Sequence, residues 1–199
     1  MEINDLIEYV KTNMLGRIAD EQHNTRLMAE TALCDGDHLE IGSLHGGSAI
    51  VVALLKKQHG YKGKVVCIDP LDGYYIGSNC PKKWQKNVDP LTDVPVSLET
   101  IKENMKRFDV ELEIIQAPSI PFPHEQLEGR KFATAYIDGD HWGDAPVLDF
   151  FNVYKRVTDY ITFDNCDGKH PDVLRACAEA ERVWKPFLRQ GITCIVKHP

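Results

Sequence analysis

Residues 38–48 read HLEIGSLHGGS, a short apolar strand that runs into a glycine-rich loop and then into a helix. Gly42, Gly46 and Gly47 allow the backbone to turn tightly and to approach a ligand without obstruction by side chains. Ser48 is a favourable N-cap for the helix, whose first free N–H groups then face the ligand. The stretch predicts either a ligand-binding strand–loop–helix unit or a plain structural junction, in which glycines are also frequent.

The rest of the chain alternates between strands and helices, a pattern typical of a doubly wound, mostly parallel α/β sheet with helices on both faces. We expect strands over 38–41, 64–68, 111–116, 132–137, 160–163 and 192–196. We expect one or two helices within 5–33, and further helices over 48–59, from 97 to about 108, around 147–154 and over 171–184. The 199 residues fit one domain, with N-terminal helices in 1–36 and the core in 37–199.

Composition and charge exclude several classes of partner. The net charge of −7 argues against broad binding of nucleic acid or anionic lipid. The chain starts with acidic residues, unlike a signal peptide, and its longest apolar run, 49–55, is too short to cross a bilayer. None of the six cysteines forms a Cys-x-x-Cys pair, which favours reduced thiols in a cytoplasmic protein. Cys166 and His170 resemble half of a zinc site, but no second pair completes it, so we favour structural roles.

Polar residues follow four of the predicted strands, where ligands bind in open α/β sheets. They are Glu40 to Ser48, Asp69, Asp138 with Asp140, and Asp164 with Asn165. Asp69 lies one β-α-β unit after the glycine loop, where an acid accepts the ribose hydroxyls of an adenosine cofactor. The alternative for Asp69 is an aspartate that caps the loop before Pro70.

These motifs resemble those of class I S-adenosylmethionine methyltransferases. Glu40-x-Gly42-x-x-x-Gly46 followed by Asp69 is similar to the first motif and the next acidic motif of that superfamily, and the resemblance covers roughly residues 37–196. It implies a Rossmann-like fold and S-adenosylmethionine as cofactor. The loop lacks the G-x-G-x-x-G pattern, which places a dehydrogenase last among the alternatives.

Residues 136–142 and 163–165 resemble, more specifically, the metal-dependent small-molecule O-methyltransferases of the catechol and caffeoyl-coenzyme A type. The Asp-Gly-Asp-His form is also similar to the group that tailors cephalosporins and macrolide sugars. The resemblance implies that Asp138, Asp164 and Asn165 bind a divalent cation, and such oxygen ligands suit Mg²⁺. The alternatives are an Asp-Gly turn at 138–140 and a loop with local hydrogen bonds at 164–165.

The same resemblance assigns the cofactor contacts. Those around the methionine part are Glu40, Gly42, Ser43, Gly46 and Ser48. Asp69 would bind the ribose, Ala117, Pro118 and Ser119 would lie near the adenine, and Asp140 would face the cofactor.

The sequence departs from this family pattern at three places. Gly143 stands where catechol-type enzymes have a lysine base, so we predict catalytic roles for His141, as the base, and for Asp138. The chain ends soon after residue 196, so the closing strand hairpin is expected to be incomplete, with a strand missing or supplied by a partner. A homodimer is one such partnership that we consider. Residues 71–96 are long for a connection. They form either a mobile lid, with Tyr74, Tyr75 and Trp84 shielding the reaction, or an ordinary surface loop.

We therefore expect transfer of a methyl group to a hydroxyl oxygen of a small molecule such as a sugar, a phenol or a natural-product intermediate, with help from a divalent metal. Two alternatives stay open. One is metal-independent methylation of nitrogen or another atom. The other is a non-catalytic module that binds S-adenosylmethionine or S-adenosylhomocysteine (SAH).

Overall fold

The computed structural model describes residues 1–18 and 22–199. The helices are α1 (Ile3–Asn13), α2 (Gln22–Thr31), α3 (Gly47–His59), α4 (Leu98–Phe108), α5 (Ala145–Val153) and α6 (Pro171–Val183). The strands are β1 (His38–Ile41), β2 (Val65–Asp69), β3 (Glu113–Gln116), β4 (Phe132–Ile137), β5 (Val157–Phe163), β6 (Lys185–Gln190) and β7 (Thr193–Lys197). Two helices, α1 and α2, lie in the N-terminal range where we expect one or two; residues 19–21 of that range lie outside the described residues.

The strands form one sheet in the order β3-β2-β1-β4-β5-β7-β6. Strands β1 to β5 pair in parallel, and β7 is antiparallel to β5 and β6. Apolar side chains of α1 to α4 fill the core on one face of the sheet, and those of α5 and α6 fill the other. The prediction of a doubly wound, mostly parallel sheet is confirmed. No helix in the described parts of the chain is both long enough and apolar enough to span a bilayer.

The C-terminal hairpin is complete, so the expectation of an incomplete one was wrong. The missed strand, β6, pairs with β7 along its length and forms the edge of the sheet. Five of its six residues are exposed, and it contains Pro186, so it has neither the alternation nor the composition that marks a strand. The chain supplies its own closing strand, and the sheet does not need one from a partner.

The start of α3 also differs from the prediction. Its N-cap is Gly46, which has a left-handed φ of +81°, and the helix begins at Gly47. Ser48 therefore lies inside the first turn, and its hydroxyl donates a hydrogen bond to Glu40 Oε1 at 2.8 Å instead of capping the helix. The left-handed backbone of Gly46 therefore starts the helix, and Ser48 does not cap it.

Candidate active site

A cavity of about 1030 Å³ lies at the carboxyl ends of β1, β2, β4 and β5. It has two walls of different construction. The glycine-loop wall comprises Gly42, Ser43, Ser48, Asp69, Pro118 and Ser119. The histidine wall comprises residues 72–79 together with Asp138, His141, Asn165 and His170. The carboxyl edge of the sheet thus brings most of the predicted site residues to one place, as expected for an open α/β fold.

Gly42 is the point at which two strand ends meet. Its φ is +82°, and a Cβ atom added there would lie 2.2 Å from the backbone oxygen of Asp138. A side chain at this position would therefore need both a strained backbone and a displaced β4 terminus. The glycine therefore allows the ends of β1 and β4 to lie in contact.

Asp69 holds the glycine loop in place from the end of β2. Its Oδ2 accepts hydrogen bonds from the backbone N–H groups of Ser43 (2.6 Å) and Leu44 (3.2 Å), and its Oδ1 accepts one from Leu71 (2.9 Å). Burial raises the pKa of Asp69, and these backbone hydrogen bonds offset part of that effect. The carboxylate oxygens have further lone pairs, so both of the roles we considered, capping the loop and accepting ribose hydroxyls, fit this geometry.

Glu40 is fully buried beneath the glycine loop and does not line the cavity. Burial raises its pKa to about 8, although the hydrogen bond from Ser48 acts in the opposite direction. Its second oxygen, Oε2, has no hydrogen-bond partner among the described residues. Of the other predicted cofactor residues, Gly46 and Ala117 also lie outside the lining, whereas their neighbours Gly47 and Pro118 are part of it.

On the histidine wall, His141 packs against the segment that follows β2. Its Nε2 lies 3.1 Å from Asp138 Oδ1, and its Nδ1 lies 3.5 Å from the hydroxyl of Tyr75. Tyr75 also makes an edge contact with the ring of Trp142, with 5.1 Å between the centroids. His141 is thus held between a predicted metal ligand and an aromatic residue of the 72–79 segment.

His170 is the second histidine of this wall and lies just before α6. Its Nδ1 is 3.0 Å from Asp167 Oδ1, and its ring centroid is 5.1 Å from that of His141. Partial burial raises the pKa of Asp167, but hydrogen bonds from His170 and from the Lys169 backbone outweigh this effect and lower it. Cys166, by contrast, contacts Cys177, with 2.8 Å between the sulfur atoms, and lies close to Cys194 as well.

The three predicted metal ligands are only partly brought together. Asp138 and Asn165 line the cavity, and Asn165 has a left-handed φ of +53°. Asp164 is fully buried, does not line the cavity, and accepts a hydrogen bond from Asn24 Nδ2 at 3.1 Å. The donor set consists of carboxylate and amide oxygens, so it fits a hard divalent cation.

The 72–79 segment lines the cavity, and hydrogen bonds attach it and the connection that follows to the rest of the protein. Asp140 Oδ2 accepts a hydrogen bond from the backbone N–H of Asn79 at 2.9 Å. Further along the same connection, buried Asp89 accepts one from Arg17 Nε at 2.7 Å. Tyr74 and Tyr75 line the cavity. Trp84 does not line it and is 49% exposed, so its predicted shielding role is not supported.

Sequence reasoning gave no role in this site to three residues of the region. Arg17 lines the cavity, but a lone arginine after α1 gives no signal. Asp149 is fully buried behind Gly139, and burial raises its pKa to about 7. An acid on the apolar face of α5 was a detectable signal. His170 had a signal as well, because Asp167 and His170 precede the helix-starting Pro171 at the spacing of a capped turn.

Comparisons with known proteins agree with this geometry. Residues 39–166 match a family model described as "Methyltransferase domain". The fold is similar to that of the O-methyltransferase NovP, with a TM-score of 0.65 and 16% identity over 96% of this chain and 88% of that one. It is also similar to an O-methyltransferase from Bacillus cereus in complex with SAH, with a TM-score of 0.60 and 14% identity over 98% and 90% of the two chains.

A third similar fold is that of CalS11, a calicheamicin methyltransferase, with a TM-score of 0.61 and 13% identity over 98% of this chain and 91% of that one. No curated protein matches the sequence. The family match covers well over half of the chain and includes the glycine loop, Asp69 and the 138–142 motif. The chain therefore belongs to the methyltransferase domain family, which confirms the prediction of a class I S-adenosylmethionine-dependent methyltransferase.

Proposed function

We propose that this protein transfers the methyl group of S-adenosylmethionine to a hydroxyl oxygen of a small molecule, with help from a divalent cation. The observation that carries the proposal is the shared cavity, which is lined both by the glycine loop with Asp69 and by two histidines with oxygen ligands. The similar folds include named O-methyltransferases, which supports oxygen as the methyl acceptor. One cavity can therefore hold donor and acceptor side by side, as a direct transfer requires.

The glycine-loop wall would hold the cofactor. The backbone around Gly42 and Ser43 offers a side-chain-free surface to the methionine part, and Asp69 would accept hydrogen bonds from the ribose hydroxyls. Pro118 and Ser119, after β3, line the part of the cavity where we expect the adenine. Glu40 would act from beneath the loop through Ser48, to which it is hydrogen-bonded.

Asp138 and Asn165, with Asp164 behind them, would hold the cation. When bound, the cation would lower the pKa of the acceptor hydroxyl and fix the direction of its oxygen. Asp138 is positioned for this role by the ring of His141. The tyrosines at 74 and 75 would exclude water from the acceptor side of the cavity.

The test is a methyl-transfer assay with labelled S-adenosylmethionine and a panel of catechol, 4-nitrocatechol and a nucleoside diphosphate hexose. We expect turnover of at least one probe with Mg²⁺, loss of turnover with a chelator, and a drop of ~10²-fold or more in Asp138→Asn. Asp109→Asn is the matched control, because Asp109 is exposed at the end of α4 and asparagine tolerates its left-handed backbone.

Each other outcome selects one of the alternatives. Full activity with the chelator and in Asp138→Asn would show metal-independent transfer. A labelled methyl group on a nitrogen atom of the product would show that the acceptor atom is nitrogen and not oxygen. Tight binding of SAH without turnover of any probe would favour the non-catalytic module.

A further inference from the structure

The two histidines of the cavity differ in what their ring nitrogens face. Both nitrogens of His141 face protein groups, namely the Asp138 carboxylate and the Tyr75 hydroxyl. A general base needs an unshared lone pair within reach of the substrate proton. His141 would have to give up one of these contacts to provide it. Its side chain is also only 8% exposed, against 25% for His170.

The surroundings of His170 leave one ring nitrogen available. Asp167 Oδ1 lies 3.0 Å from Nδ1 and also accepts hydrogen bonds from the backbone N–H groups of Lys169 and His170. Because an ionised carboxylate only accepts hydrogen bonds, Nδ1 must carry the proton in the neutral ring. The lone pair then lies on Nε2, which has no hydrogen-bond partner in the described part of the chain, while the residue lines the cavity.

The loop and helix around His170 hold it in this position. Asp172, in the first turn of α6, accepts a hydrogen bond from the backbone N–H of Gly143 at 2.9 Å. Arg175 donates to the backbone oxygen of Gly143 and to Asp144. The titratable groups that contact the ring are Asp167 from its own turn and His141 from the loop after β4. The charged groups of the adjoining loop and helix, Asp144, Asp172 and Arg175, pair with one another.

We infer that His170 is the catalytic residue that accepts the proton of the acceptor hydroxyl, with Asp167 as its positioning residue. The inference rests on the proposed function. The acceptor O–H bond breaks and its proton moves to Nε2 of His170. The oxygen lone pair forms the new bond to the methyl carbon while the carbon–sulfur bond breaks, and that electron pair stays on sulfur to give neutral SAH. His141 in this arrangement orients Asp138 and takes no proton.

The kinetic test uses two probes that differ in the acidity of their hydroxyl. Catechol is protonated at neutral pH and needs a base, whereas 4-nitrocatechol is largely ionised and does not. We expect His170→Gln to slow methylation of catechol by ~10²-fold and that of 4-nitrocatechol by less than about threefold. Asp167→Asn should follow the same pattern more weakly, and His141→Gln should slow both probes alike. His59→Gln, at an exposed histidine, is the control. Equal effects of His170→Gln on both probes would overturn the inference.

A second measurement does not depend on any acceptor. Long-range ¹H–¹⁵N spectra of the histidine rings, assigned with His170→Gln, report which nitrogen carries the proton. We expect the neutral ring of His170 to have its proton on Nδ1 and to lose that preference in Asp167→Ala, which removes the acceptor oxygen. A proton on Nε2 would overturn the inference. Failure of SAH to bind would contradict the proposed function instead, and the spectra of the free protein would still decide the state of His170.

Discussion

The two walls of the cavity differ in composition: one consists mainly of backbone and the other mainly of side chains. The glycine-loop wall consists largely of backbone at the ends of inner strands, and it is held by buried acids such as Asp69 and Glu40. The histidine wall consists of side chains from the connections after β2, β4 and β5, which meet only in the folded protein. A backbone-built wall suits a constant ligand, the methyl donor. In a wall built from side chains, substitutions of those side chains can change which acceptor molecule binds without loss of the fold.

The largest effect should come from Gly42→Ala, which attacks the backbone-built wall directly. The new Cβ would meet the Asp138 carbonyl at 2.2 Å, so we expect about 3 kcal/mol or more of destabilisation and loss of SAH binding. Gly60→Ala is the matched control: its φ is +75°, but nothing lies within 4 Å of the added Cβ, so it should cost only about 1 kcal/mol. Urea unfolding compares the two variants, and equal losses would contradict the close contact.

The next largest effect should be on cofactor affinity. Asp69→Asn removes a charge that three backbone N–H groups face, so we expect SAH binding to weaken by ~10²-fold, or about 2.7 kcal/mol. Asp72→Asn is the comparison, because Asp72 lines the same cavity but is exposed. Calorimetry measures both. If Asp72→Asn weakened SAH binding more than Asp69→Asn did, Asp72 and not Asp69 would be the residue that binds the ribose.

A smaller effect concerns pH, through Glu40 under the glycine loop. Its pKa is raised from 4.5 to about 8 by burial, so the folded state binds this proton more tightly than the unfolded chain does. Stability from this group is fully present below about pH 4.5 and is lost as the pH rises through about 8. We expect the wild type to lose a few kcal/mol more stability between pH 5 and pH 8 than Glu40→Gln does.

Urea unfolding at these two pH values measures the difference. Glu2→Gln, at the exposed N-terminus, is the control for the loss of one acid. Parallel pH profiles for the wild type and Glu40→Gln would show that Glu40 is ionised in the folded protein, which would remove the buried neutral acid from the glycine-loop wall.

The smallest effect should be in the dynamics of residues 71–96, which we propose act as a lid on the histidine wall. SAH should slow amide hydrogen exchange in this segment. Asp89→Asn should speed up this exchange, because the substitution weakens the ion pair between Arg17 and the buried Asp89. Exchange in α3 away from the cavity is the internal reference. A segment that is equally protected with and without SAH would be an ordinary surface loop.

The sequence predicts the two walls unequally, and the reason is physical. The glycine loop and Asp69 could be assigned because strand, turn and helix signals are local and because strand ends converge in a parallel sheet. The contact of His170 with Asp167 lies within one turn. Its position beside His141, however, depends on how two separate loops pack, which no local pattern encodes. Strand β6 was missed for a related reason, since an exposed edge strand has no buried face to impose alternation.

A crystal structure with SAH and Mg²⁺ tests the central claim most directly, because it shows whether one cavity holds the donor against the acceptor machinery. We predict SAH along the glycine-loop wall, with its ribose hydroxyls at Asp69, and Mg²⁺ at Asp138 and Asn165 within the histidine wall. We also predict that the Nε2 atom of His170 faces the open space beside the SAH sulfur. SAH bound elsewhere, or His170 turned away from that space, would contradict the account.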